Sequence, residues 1–116
     1  MATLTRARLY IEQGCTWQQR LIYKAGDPLT PVDMTGWTAR LHVRTTVESP
    51  ELLLELTTEN GGITLGGTTG EISIDLSAAD TAAITWPTGL FDLELVSAGG
   101  IVKRVLRGTI AVRRDV

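Results

Sequence analysis

The sequence predicts an all-β fold: one domain over residues 1–116, built as an antiparallel β-sandwich with one short helix. Three observations predict it. Apolar side chains alternate with polar ones in run after run. Turn residues return about every ten to fifteen positions, the spacing of short strands in sandwiches and barrels. A chain of 116 residues, 43% hydrophobic and 21% charged, has room for one core without staples.

Each element follows from its own pattern. Leu4 to Glu12 puts Leu9 and Ile11 opposite Arg8 and Tyr10. Thr16 to Lys24 puts Trp17, Gln19, Leu21 and Tyr23 on one face. Asp27-Pro28 and Pro31 begin a loop that ends at Gly36. Trp37, Ala39, Leu41 and Val43 then alternate with Thr38, Arg40, His42 and Arg44, a strand with one dry face and one wet face. Leu52, Leu54 and Leu56 share a face in the next run, and Asn60-Gly61 closes it with a tight turn, since both residues tolerate positive φ. Gly66-Gly67 marks another turn before Ile72, Ile74 and Leu76, which alternate with Glu71, Ser73 and Asp75. Ser77 and Asp80 have the spacing of a capping box, so a helix of one or two turns runs from Ala78 and ends before Pro87. Phe91, Leu93 and Leu95 alternate with Asp92 and Glu94, Gly99-Gly100 turns the chain, and a long last run from Ile101 to Arg113 bends near Gly108.

The net charge of −2 conceals a segregation along the chain. All eleven Lys and Arg lie outside residues 45–102, while nine of the thirteen acids lie within them. The middle therefore carries −9 and the two ends together +7. One cysteine, Cys15, rules out an intramolecular disulfide and a thiolate metal cluster. No run reaches the roughly 18 apolar residues of a membrane helix, and the N-terminus has no signal-peptide pattern. Synthesis in a cytoplasm without membrane association is the expectation.

Catalytic chemistry has few sources here. The single histidine, His42, falls on the wet face between Arg40 and Arg44, as an exposed strand residue. Nothing in the sequence brings Cys15, in a turn, to His42. Glu71/Asp75 and Asp92/Glu94 point outward from strands as solvated charges, rather than converging on a cleft as hydrolytic carboxylates must. Asp27 and Asp33 flank a Pro-containing loop without calcium-loop spacing. The paired glycines are followed by no phosphate-loop lysine. Trp17, Trp37 and Trp86 read as core anchors. The expectation is a non-enzyme with no catalytic residues, no cofactor and no metal.

The run Pro31-Val32-Asp33-Met34-Thr35-Gly36-Trp37-Thr38-Ala39-Arg40-Leu41-His42-Val43-Arg44 resembles one in small phage tail and baseplate proteins. Leu54 to Gly66, Gly70-Glu71-Ile72, Leu76 to Ala82, Phe91 to Leu95 and Arg104 to Val112 extend the likeness over nearly the whole chain. The chain thus resembles the immunoglobulin-like domain at the N-terminus of upper baseplate proteins of tailed bacteriophages. In those proteins a helical part that holds receptor-binding proteins follows. With the sequence ending at Val116, the likeness implies an immunoglobulin-like adaptor or connector of the tail or baseplate. Such a subunit is a structural protein of the virion that joins other tail proteins in a symmetric homo-oligomer and binds neither nucleic acid nor membrane. Two alternatives stay open: a capsid decoration or head-fibre protein of the same fold, and a host- or glycan-binding module. In such sandwiches the first and last strands lie close together. Arg6, Arg8, Lys103, Arg107 and Arg113 would then form a basic edge facing an acidic edge from the middle strands. Arg6, Arg8, Arg107, Arg113 and Arg114 are the candidate inter-subunit contacts. The plainer reading is that these charges keep exposed strands soluble and guard sheet edges.

Overall fold

The computed structural model describes residues 5–26 and 28–114. Among the described residues, ten strands and one α-helix follow in order, with a single 3-10 turn (Gly67–Thr69) before β8: β1 (Thr5–Glu12), β2 (Trp17–Ile22), β3 (Lys24–Ala25), β4 (Thr30–Pro31), β5 (Thr38–Arg44), β6 (Leu54–Thr57), β7 (Ile63–Leu65), β8 (Glu71–Leu76), α1 (Ala78–Ala82), β9 (Thr88–Val96) and β10 (Val102–Arg113). They form a five-stranded sheet in the order β1-β10-β9-β5-β6 and a three-stranded sheet in the order β2-β8-β7, with β3-β4 as a small ribbon. That is the strand order of an immunoglobulin-like sandwich, and the fold is an all-β sandwich with one short helix. Among the described residues no helix is long and apolar enough to cross a membrane.

One pairing departs from a purely antiparallel sandwich. β1 runs parallel to β10, with Arg6 opposite Arg107, Leu9 opposite Ile110 and Glu12 opposite Arg113. A short turn follows β1, held by Cys15 N–H donating to the Glu12 carbonyl at 3.1 Å. It carries the chain into the other sheet, so the first strand pairs with the last one instead of with β2.

The alternation read from the sequence fills the space between the sheets. Ala39, Leu41 and Val43 of β5, Phe91, Leu93 and Leu95 of β9, and Ile72, Ile74 and Leu76 of β8 are all buried, as are Ile11, Trp17 and Ile110. Leu41 sits between Leu93 on one side and Leu56 on the other. Each fully buried side chain of this kind contributes about 1.5–3 kcal/mol. Trp37 precedes β5 and packs half-buried against the core, as does Trp86.

Four local readings need correction. Leu52 does not share the strand of Leu54 and Leu56. It is exposed, because pairing starts at Val43–Leu54 and residues 45–53 arch away as a loop. Ser73 is buried despite its outward position, because Arg20 reaches across from β2 and donates to its hydroxyl at 2.5 Å. The capping box is half-made: the Ser77 hydroxyl accepts from Asp80 N–H at 3.1 Å, with no return bond from the Asp80 side chain among the described residues. The irregularity expected near Gly108 lies a few residues earlier in β10. The register shift falls between Arg104 and Leu106, leaving Val105 as a bulge. Gly108 is glycine for another reason: a Cβ there would overlap the Ala7 carbonyl oxygen of β1.

Two polar devices lock the ends of the sandwich. Thr81 of α1 is fully buried, and its hydroxyl donates toward the carbonyls of Cys15 (2.8 Å) and Ala78 (3.1 Å) and accepts from Gly14 N–H (3.1 Å). The helix is thereby clamped to the β1–β2 turn. Asn60 performs the same task at the crossing from β6 to β7. Its carbonyl oxygen accepts from the amides of Thr57 and Gly62, both at 2.9 Å, and Gly61 takes φ +84.

Candidate functional site

The outer face of the five-stranded sheet gathers the charges that the sequence keeps apart. Side chains at alternate positions of β1, β10, β9, β5 and β6 point away from the core, and the register aligns them in rows. One row runs Arg6, Arg107, Asp92, His42, Glu55. The next, toward the end of β10, runs Arg8, Thr109, Leu90, Arg44. A third runs Arg104, Glu94, Arg40, Thr57.

The acids of β9 therefore do not form an edge facing a basic one. Asp92 and Glu94 lie in mid-sheet, between cationic strands drawn from the two ends of the chain. Arg40 Nε donates to Glu94 Oε1 at 2.8 Å, and Arg104 reaches Glu94 Oε2 at 3.4 Å and Asp92 Oδ2 at 3.7 Å. Burial pushes the Glu94 carboxyl up, but the Arg40 hydrogen bond and charge, with Arg104 and His42 beyond, outweigh it and hold the carboxyl below the ordinary range. Opposite charges on neighbouring strands stabilise the pairing they straddle.

Not every cation on this face is matched. Among the described residues, Arg6, Arg8, Arg44 and Arg107 make no ion pair. A groove of about 460 Å³ lies over the sheet, lined by Arg6, Arg44, Arg104, Arg107 and Asp92, with Leu90 and Thr109 in the floor and Thr46 and Val47 of the β5–β6 loop as one wall. A second groove of about 390 Å³ shares Leu90 and Thr109 and continues past Arg8, Tyr10 and Ala111.

The Val105 bulge makes the first groove possible. Arg104 and Arg107 are three apart, so strict alternation would send them to opposite faces. The extra residue brings both to the outer face, opposite Glu94 and Asp92.

Of the five contacts expected from sequence, Arg6, Arg8 and Arg107 line this surface. Arg113 lies over the Tyr10 ring, 4.7 Å from its centroid, and Arg114 donates to the Thr85 carbonyl at 3.3 Å. Lys103 lies before Leu106, where the pairing with β1 starts, and is not part of a shared edge. Arg44 and Arg104 were missed, because the sequence does not say which faces meet or that Val105 bulges.

Residues considered for chemistry stay apart. His42 is largely covered, not solvated, and its nearest charge is Glu55, with Nε2 and Oε2 3.0 Å apart, rather than either flanking arginine. Cys15 is exposed in the β1–β2 turn. Asp33 accepts from the Thr35 hydroxyl (2.6 Å) and amide (3.0 Å), which hold its carboxyl below the ordinary range. Asp27 lies outside the described residues, among which no group of three or more metal-ligating side chains gathers.

Fold and site together define an immunoglobulin-like sandwich module with a cationic groove across one sheet. No family model and no curated protein matches this chain.

Proposed function

We propose that this chain is a structural protein of a tailed-bacteriophage virion: a tail or baseplate adaptor that joins neighbouring proteins in a symmetric oligomer, without catalytic activity. It is made in the host cytoplasm and incorporated into the particle. Its partners are other virion proteins rather than nucleic acid or membrane.

The observation that supports this reading is the placement of the residues that resemble phage baseplate domains. Met34, Ala39, Leu41 and Val43 are core residues, and Asp33 with Thr35 closes the turn before β5. The shared pattern thus encodes a rigid block, and what the block offers a neighbour is its surface, above all the grooved outer face. Interfaces that recur around a ring need rigid, charge-complementary faces more than they need clefts.

Mass spectrometry of purified particles tests the proposal. The chain should be present at a fixed copy number, and cryo-EM of the particle should place it in the tail or baseplate. Placement on the capsid would favour a decoration role, and absence from the particle would overturn the proposal.

A further inference from the structure

We propose that the groove over β10, β9 and β5 takes an extended acidic peptide segment of a neighbouring protein, with carboxylates at every second residue. This rests on the reading of the chain as a joining module and supplies the chemistry of what it joins.

The groove is cationic after its internal pairs are counted. Arg104 is engaged by Asp92 and Glu94, while Arg6, Arg44 and Arg107 have no acidic partner among the described residues. Arginine presents a planar fork that matches a carboxylate in two hydrogen bonds. Arg44 and Arg107 are half-buried, so their stems are held by the sheet and less freedom is lost on binding.

The spacing selects the ligand. Arg6 and Arg107 lie in one row, Arg8 and Arg44 in the next, two residues along each strand. Adjacent rows on one sheet face are about 6.6 Å apart, which is also the distance between alternate side chains of an extended peptide. A strand laid over the sheet in this direction brings one groove-facing carboxylate level with the adjacent Arg6 and Arg107 and the next level with the row that Arg8 and Arg44 flank across Thr109 and Leu90. The second groove prolongs the path toward Tyr10.

Other polyanions fit less well. A nucleic acid needs a continuous basic stripe with exposed aromatic rings. Here Asp92 interrupts the row between Arg107 and His42, and Tyr10, though 47% exposed, already has one ring face taken by Arg113.

Fluorescence anisotropy with the whole protein tests this. One labelled heptapeptide carries glutamates at alternate positions with threonines between them. A second has the same composition with its glutamates contiguous. The alternating peptide should bind at least about fivefold tighter, and Arg44→Gln with Arg107→Gln should weaken it about tenfold or more. Asp92→Asn, which keeps every arginine and removes the one acid lining the groove, should tighten binding severalfold and so gives the opposite sign in a second variant. Equal affinity for the two peptides, indifference to the arginine substitutions, or stronger binding of polyphosphate or single-stranded DNA would overturn the inference. Peptide binding by a protein that is missing from particles would sink the virion reading and leave the ligand chemistry standing. Presence in particles without peptide binding would do the reverse.

Discussion

Gly108→Ala should destabilise the sandwich far more than an exposed glycine-to-alanine change does. Gly108 stands between Ala7 of β1 and Phe91 of β9. Its new Cβ would overlap the Ala7 carbonyl oxygen and lie 2.8 Å from the Ala7 carbonyl carbon and 3.0 Å from its nitrogen. Every atom in the way is backbone, so no rotamer change relieves the clash and β1 must shift. Overpacking of this kind costs about 1–3 kcal/mol. Loosening β1 also exposes part of Ile11, now fully buried, at up to about 2 kcal/mol. A loss of about 3 kcal/mol lowers the Tm by roughly 10–15 °C at this chain length. Thermal and urea unfolding followed by circular dichroism measure the loss, and amide hydrogen exchange should report it first in β1. Gly99→Ala is the control: the nearest atom to its Cβ is Ser97 Oγ at 3.9 Å, so its Tm should hold or rise slightly. A Gly108→Ala protein melting within about 2 °C of the parent, with β1 amides still protected, would refute the close approach of the two strands.

Leu93→Ala removes a fully buried side chain at the centre of the larger sheet and should cost about 2–5 kcal/mol in urea unfolding. Thr81→Val keeps the volume but strands the carbonyls of Cys15 and Ala78 and the amide of Gly14, for about 1–3 kcal/mol, while Thr81→Ser should retain most of the stability. The Glu94 carboxyl carries an acid-side signature. Burial raises its pKa, but Arg40 and Arg104 hold it lower in the folded state than its ordinary 4.5. Its stabilisation is therefore complete above the unfolded value and lost as pH falls through the lowered folded value. Glu94→Gln should flatten the acid limb of a stability–pH curve, which chemical denaturation at a series of pH values reads directly.

How much of this was legible in the sequence depends on which physical term decides each feature. Period-two burial in β5 and β9 was legible because each strand has one dry face, whatever its neighbours. The helix start was legible because Ser77 caps locally. The pairing of β1 with β10 was anticipated only as proximity; its parallel direction is a tertiary fact. Burial of Ser73 and coverage of His42 depend on partners on other strands, Arg20 and Glu55, which no local pattern reveals. Charge was the least legible. Segregation along the chain suggested opposed edges, yet strands from the middle and the ends become sheet neighbours, so segregation in sequence turns into alternation in space. The Val105 bulge left a faint trace in two apolar residues between Arg104 and Arg107, but that trace does not distinguish a bulge from a buried step.

The direction of β1 has a mechanical consequence. Because β1 and β10 run side by side in the same sense over eight paired residues, Thr5 and Arg113 emerge at opposite poles of the ladder, about 25 Å apart along the strands. Tension drawn between those poles acts along the hydrogen-bonded seam and must slide all of its bonds together, whereas a hairpin pulled at its open end yields one bond at a time. A block strung in line by these two points resists extension like a lap joint.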